Sequence, residues 1–311
     1  MLAYGSQATG PPATVRSRIA RHGIGADDEG RGEMAANASA GSAAAAIVTG
    51  AGGGIGGAVA RRLAVDGFSL VLADRDPASL ERVVGTLPAG TVCELVVGDV
   101  AAKEHHDELV VAAEDLGGLS VSVLNAGVSL TGLSWELPLD QWELHVAVNY
   151  WGVVHGVRAA VPPMIARGSG HVVAVASGAG LVATPGLAAY VSTKHAVVGL
   201  MESLFHELAR VAPGVHSSVV CPGNIATPMA ANSLAAAGLA TRPLDGEAAA
   251  IEEVVRAGVD NGSAPATVAD AIGEALADRR FWILPQPELA WAATDRMRRL
   301  AEGEAPVDLL G

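Results

Sequence analysis

One stretch of the chain, Ser177–Lys194 (SGAGLVATPGLAAYVSTK), holds three side chains that together could do acid–base chemistry: Ser177, Tyr190 and Lys194. Tyrosine occurs only 3 times in the chain, and Lys103 is the only other lysine. If the chain from Tyr190 onward is helical, residues four apart share a face, so phenol and ammonium point into one site. A free phenol has a pKa of about 10 and exchanges protons poorly at neutral pH. A neighbouring ammonium favours the phenolate and lowers that value, which makes Tyr190 a candidate general acid/base. Ser177 ends an apolar run, His171–Ala176, that reads as a strand, and its hydroxyl could hold a substrate oxygen beside the tyrosine. The plainer reading, an accidental pairing on one helix face, is weakened by a glycine-rich loop far upstream.

That loop stands where sustained patterning begins. Residues 1–41 are rich in Gly, Ala, Ser, Pro and Arg without periodicity. They read as a flexible extension or a non-native leader, with Met34 a candidate biological start. From Ala43 an apolar run meets Thr49-Gly-Ala-Gly-Gly-Gly-Ile-Gly56; a helical pattern, Ala58–Val65, follows, and the apolar run Phe68–Ala73 ends at Asp74. Strand, glycine loop, helix, strand and acid is the order of a dinucleotide-binding βαβ unit. Its glycines let the backbone approach a pyrophosphate at the positive end of the helix, and its acid accepts from the ribose hydroxyls. Methyltransferases and flavoproteins carry similar loops, so the acid matters.

Further strands are expected at Val92–Val97, Val121–Leu124, His171–Ala176, His216–Val220 and Phe281–Leu284. Helices are expected at Ala78–Thr86 (capped by Asp76-Pro77), Lys103–Leu116, Asp140–Val161, Tyr190–Arg210 and Thr267–Asp278. The alternation implies a single doubly wound, Rossmann-type α/β domain over residues 42–311. Its parallel sheet would have about seven strands, with helices on both faces.

With these motifs quoted, the chain resembles the short-chain dehydrogenase/reductase family over about Ile47–Leu284. Thr49-Gly50, Gly54, Ile55 and Gly56 match its TGxxxGxG loop, Asp99 with Val100 its adenine-contacting acid, and Asn125-Ala126-Gly127 its NAG motif. Asn149 matches the helix asparagine of a proton relay, and Ser177, Tyr190 and Lys194 the catalytic serine and YxxxK. Pro222, Gly223, Ile225 and Thr227 fall in the PG…T segment beside the nicotinamide, and residues 228–262 correspond to a substrate lid. Leu124 departs from the pattern, since many relatives carry a second asparagine there. The resemblance implies hydride transfer between a substrate carbon and nicotinamide while Tyr190 moves the proton on the substrate oxygen. Lys194 would bind the nicotinamide ribose and depress the tyrosine pKa, and Asn149 would hold a water connecting that lysine to solvent. At Asp74 a carboxylate welcomes ribose hydroxyls and repels a 2′-phosphate, favouring NAD over NADP. Arg75 is the counter-argument.

Composition narrows the partners. The net charge of −13, without blocks of like charge, argues against nucleic acid. Cys93 and Cys221 lie in apolar runs without metal-ligand spacing, so buried thiols in a reducing cytoplasm are expected and no metal. No secretory signal or membrane-spanning helix is visible. His105-His106 read as part of a charged, solvated helix, His145 as a helix-face or interface residue, and His195 as packing. Trp135, Trp142 and Trp151 read as core or subunit contacts. The apolar lid suits a lipophilic secondary alcohol or ketone, and a homodimer or homotetramer through the two long helices is implied by the resemblance. Three other functions compete: a catalytically silent NAD(P) sensor or scaffold, an NADP-dependent ketone or 3-oxoacyl reductase, and a methyltransferase-like protein that the Ser/Tyr/Lys set disfavours.

Overall fold

Uncharged runs such as Ala45-Ala-Ile-Val-Thr49 can form strands only where both faces are covered, and the chain supplies that cover between successive strands. The structure, a computed structural model, describes residues 15–20 and 44–308. In chain order it runs β1 (Val15–Ala20), β2 (Ala45–Thr49), α1 (Gly54–Val65), β3 (Ser69–Asp74) and α2 (Pro77–Val84). There follow β4 (Val92–Val97), α3 (Lys103–Asp115), β5 (Leu119–Leu124) and α4 (Leu139–His145). A π-helical segment, Val146–Trp151, leads straight into α5 (Gly152–Arg167). The remainder is β6 (Gly170–Val175), α6 (Ala188–Val211), β7 (Val215–Val220), α7 (Met229–Ala236) and α8 (Gly246–Asp260). Last come α9 (Pro265–Asp278), β8 (Trp282–Ile283) and α10 (Glu288–Glu302).

The strands form one sheet in the order β1-β4-β3-β2-β5-β6-β7-β8, and every pairing is parallel except that of β1. Leu63 of α1, Leu80 of α2 and Ile272 of α9 fill one face, with Val48 and Leu72 from the sheet. Leu109 of α3, Met164 of α5 and Met201 of α6 fill the other, with Ile47 and Val172. The core is therefore aliphatic, as the low aromatic content requires.

The doubly wound fold is as expected, and two local expectations need correction. Among the described residues the sheet has 8 strands, one beyond the roughly seven expected, because Val15–Ala20, inside the expected extension, pairs antiparallel with β4. The Val-Arg-Ser-Arg-Ile sequence alternates as a strand does, and Arg16 reaches Glu94 diagonally across the ladder at 2.5 Å. The rest of that extension, 1–14 and 21–41, lies outside the described residues. The helix expected from Asp140 to Val161 begins at Leu139, is widened into a π turn around Asn149, and continues to Arg167. His105 and His106 are not solvated: they are 2% and 3% exposed, turned beneath the β4–α3 connection. There His105 packs on Gly98, and His106 Nε2 lies 2.9 Å from the Val100 carbonyl. Of the tryptophans, Trp135 and Trp151 are 79% and 47% exposed and belong to neither core cluster.

Candidate active site

The strand order reverses between β2 and β5, so their C-terminal ends diverge into a crevice, the place where open α/β sheets bind ligands. Thr49, at the end of β2, ties the two edges together. Its buried hydroxyl accepts from the Asn125 N–H at 3.0 Å and the Ala126 N–H at 3.2 Å. The Asn125 amide in turn donates to the Thr49 and Gly50 carbonyls at 2.9 and 3.2 Å. This contact is why Gly56 has no side chain. A Cβ there would stand 2.1 Å from the Gly50 carbonyl oxygen and 2.6 Å from Asn125 Nδ2. At Gly52 a Cβ would meet Ser79 Oγ at 1.9 Å.

Asp74 closes the far rim. One carboxylate oxygen accepts from the Gly52 N–H at 2.9 Å and the other from the Asp76 N–H at 3.1 Å. A carboxylate has about four acceptor sites, so two remain for a ligand. Between these walls lies a cleft of about 570 Å³. Among the residues singled out from sequence, Gly50, Gly54, Ile55, Asp74, Arg75, Asp99, Val100, Asn125, Ala126, Gly127 and Thr227 line it. Gly56 lies beneath the loop. Ile225 does not face the cleft: it is buried in the core and bridges to Ser263. Gly223 donates its N–H to Gln286 Oε1 at 3.0 Å, on the side of the C-terminal segment.

The cleft ends at Gly127, where a Cβ would lie 3.3 Å from Asn149 Oδ1 and 3.5 Å from Lys194 Nζ. Tyr190 and Lys194 share the inner face of α6, and the ammonium stands 5.5 Å from the centre of the phenol ring. Ser177 hydrogen-bonds the phenol and accepts from the Ala179 N–H at 3.1 Å. Asn149 accepts from the Val128 N–H at 2.8 Å and donates to the Val128 carbonyl at 2.9 Å and to Thr193 Oγ1 at 3.1 Å. Both its amide hydrogens are thus engaged, and a water linking it to Lys194 would have to donate to Oδ1.

The electrostatics differ from the expectation that the ammonium lowers the tyrosine pKa. Burial raises the Tyr190 value, and the Ser177 hydrogen bond opposes it. The Lys194 ammonium donates instead to the Val175 carbonyl at 2.8 Å, and burial lowers its own pKa to about 8. Two desolvated groups each resist carrying charge, and here that cost exceeds their mutual help. Cys221, at the end of β7, is pushed up to about 12 by burial and is an inert thiol.

The model of the short chain dehydrogenase family matches residues 44–238, more than half of the chain. The chain belongs to that family. A dehydrogenase/reductase of CLA biosynthesis from Lactiplantibacillus plantarum is 32% identical over 268 residues, covering 84% of this chain and 94% of the relative. A D-beta-hydroxybutyrate dehydrogenase from Rhizobium meliloti is 36% identical over 188 residues, 59% of this chain and 72% of that one. Among solved structures, a short-chain dehydrogenase/reductase from Burkholderia phymatum in complex with NAD superposes with a TM-score of 0.81. It is 33% identical, covering 87% of this chain and 98% of that one. This short-chain dehydrogenase is therefore an oxidoreductase acting on CH–OH donors, of a family that binds NAD(P), and the methyltransferase-like reading falls. Its glycine cradle and free Asp74 acceptor sites fit a dinucleotide. Among the described residues no cluster of His, Cys, Asp or Glu is placed to hold a metal, and no helix is long and apolar enough to cross a membrane.

Two residues join the site beyond those assigned to it from sequence. His145 is fully buried; its Nδ1 lies 2.7 Å from the Gln141 carbonyl, and Nε2 accepts from the Leu130 N–H at 3.1 Å. Ser233 is equally buried and accepts from the Ser129 N–H at 2.8 Å. His145 was expected from sequence only as a helix-face or interface residue, and the signal for Ser233 was a lone hydroxyl in a helix made mostly of Ala and Leu.

Proposed function

We propose that the chain is an NAD-dependent dehydrogenase that interconverts a lipophilic secondary alcohol and its ketone, with Tyr190 as general acid/base. The observation that carries this reading is the grouping of Ser177, Tyr190 and Lys194, with the Lys194 ammonium beside Gly127 at the inner end of a cleft whose outer rim is Asp74. NAD, when bound, supplies or accepts the hydride. The Gly50–Gly56 loop, Asp74, Asp99, Val100, Asn125–Gly127 and Thr227 would hold it, with Lys194 on the nicotinamide ribose. Ser177 holds the substrate oxygen, and Tyr190 gives that oxygen a proton in reduction or takes one in oxidation. Because burial keeps the phenol protonated at neutral pH, the resting site is poised to donate.

Met229, Ala235 and Ala236 give the cleft an apolar wall, and Arg242 is engaged with the Thr131 carbonyl, which supports an uncharged substrate. The relative named for D-beta-hydroxybutyrate supports alcohol–ketone interconversion, though not a particular alcohol. A second reading, NADP, is favoured by Arg75, which lines the same rim. Residues 42–311 act in this proposal as one cytoplasmic domain. They would assemble as a dimer or tetramer through α4–α5 and α6, where Val146, Trp151 and Phe205 are exposed. Tyr190→Phe should keep NADH binding and lose roughly 10²–10⁴-fold in turnover on an alcohol and ketone panel. Turnover near that of the unaltered enzyme would remove Tyr190 from the mechanism, and a clear preference for NADP would assign the rim to Arg75.

A further inference from the structure

Three consecutive backbone N–H groups run along the boundary between the cleft and the catalytic residues, and each donates to a different buried side chain. Val128 donates to Asn149, Ser129 to Ser233 and Leu130 to His145. Asn149 and His145 stand one turn apart on the continuous helix behind the segment. Ser233 alone comes from across the cleft: it sits on α7, whose Met229, Asn232, Ala235 and Ala236 line the opposite wall.

Within Met229–Ala236, the sequence MAANSLAA, Ser233 is the only hydroxyl. Alanine would suit the helix better, so local structure does not call for a serine there. Its hydroxyl donates to the Met229 carbonyl at 2.7 Å, which turns its lone pairs toward Ser129. At the other end of the helix, Arg75 Nη2 approaches the Ala235 carbonyl at 3.5 Å, at the outer limit for a hydrogen bond. Helix α7 thus lies across the cleft, firmly tied on the catalytic side and loosely on the side of Asp74. A Cβ on Gly54 would come within 3.2 Å of Thr227 Cγ2, just ahead of α7, so little width is left between the glycine loop and the start of the lid.

We propose that Ser233 is a positioning residue and the latch of a lid: its bond to the Ser129 N–H holds α7 closed over the cleft, and a dinucleotide enters or leaves when that bond opens. The inference rests on reading the cleft as the dinucleotide site. Opening exchanges one protein hydrogen bond for bonds to water on both partners, so the latch biases the equilibrium by roughly two- to tenfold rather than sealing the site. The same bond fixes the residue between those held by Asn149 and His145, so lid closure also completes the segment flanking the catalytic set.

The test compares the full chain with Ser233→Ala. Release of NADH, followed by displacement in a stopped-flow fluorimeter, should be about two- to tenfold faster, and limited proteolysis within Thr227–Leu244 should accelerate by a similar factor. The denaturation midpoint separates a latch from general weakening. Equal release and cleavage rates in the two proteins would overturn the proposal, as would increases no larger than the rise in global unfolding. On the unaltered chain, exchange of the Ser129 amide hydrogen should slow when NADH is added. An unchanged exchange rate in a chain that does bind NADH would also overturn it, and this arm remains if the variant does not fold. If the unaltered chain binds no dinucleotide, the cofactor reading fails, while proteolysis of the two apo proteins still decides the latch.

Discussion

Replacing Thr49 by valine should damage both stability and the nucleotide site, although valine has nearly the same shape. The Thr49 hydroxyl, buried at the end of β2, is the acceptor for two N–H groups of β5's exit loop, Asn125 and Ala126. Valine leaves both half-buried donors without that acceptor, at about 1–3 kcal/mol each. The added methyl returns about 0.8 kcal/mol, which leaves a net loss of about 1–5 kcal/mol. With a urea slope of about 1–3 kcal/mol/M, the unfolding midpoint should fall by roughly 0.5 M or more. Nucleotide affinity should fall with it, because the same two bonds hold the strand ends at the spacing the cleft needs. Thr49→Ser keeps the acceptor and loses only a methyl group, so it should cost about 1 kcal/mol and leave affinity intact. A Thr49→Val protein within about 0.5 kcal/mol of the unaltered one, or a serine variant equally damaged, would refute the reasoning.

Asp74→Asn keeps an oxygen for the Gly52 N–H but removes the charge, so discrimination against NADP should relax by about tenfold, read as the ratio of kcat/KM for the two cofactors; an unchanged ratio would mean the carboxylate does not select. Since burial holds the Tyr190 phenol protonated at neutral pH and raises its pKa, alcohol oxidation, which needs the phenolate, should speed up as pH rises from 7 toward 10, while ketone reduction, which needs the phenol, should stay flat over that range. A profile flat in both directions would assign the proton transfer elsewhere. Burial lowers His106 to about 4 and His171 to about 3, so the unfolded chain takes up protons first as pH falls below about 6.5. Stability present above that pH should therefore be lost on the way to pH 4, at about 1.4 kcal/mol per pH unit for each histidine, measured by denaturation at stepped pH. No loss between pH 6.5 and 5 would show that these rings are not buried neutral.

The glycine loop, Asp74 and the alternation of strands and helices were legible because each is a local signal: a spacing, a terminus or a period. Asp76-Pro77 opens α2 as its residue types require, with Asp76 Oδ1 accepting from the Ala78 N–H at 3.0 Å. What escaped depends on tertiary partners. The π turn is stabilised by the three bonds of Asn149 to Val128 and Thr193, and nothing in Val146–Trp151 itself announces it. His105 and His106 look solvated beside Lys103, Glu104 and Asp107, yet the turn at Gly98 draws both under the sheet edge. The tyrosine pKa argument failed for a related reason. Sequence supplies the neighbouring cation but not the depth of burial, which governs here. Helix α10 carries an apolar stripe, Leu289, Ala293, Met297 and Leu300, yet buries none of its residues, so the pattern marks a face that the described chain leaves uncovered.

Strand β1 bears on how this enzyme should be handled as a material. Among the described residues it is the only antiparallel member of the sheet, and it occupies the outer side of β4, with Val15 opposite Val97 and Ala20 opposite Val92. A chain trimmed to begin just before β2 would keep the whole catalytic apparatus and still present a six-residue ladder edge to solvent. Such an edge is a template for any extended segment, including the same edge on another molecule. Removing the residues ahead of the family match, which begins at residue 44, would then exchange an intramolecular strand pair for intermolecular ones, and loss to aggregation in concentrated stocks would precede any loss of turnover.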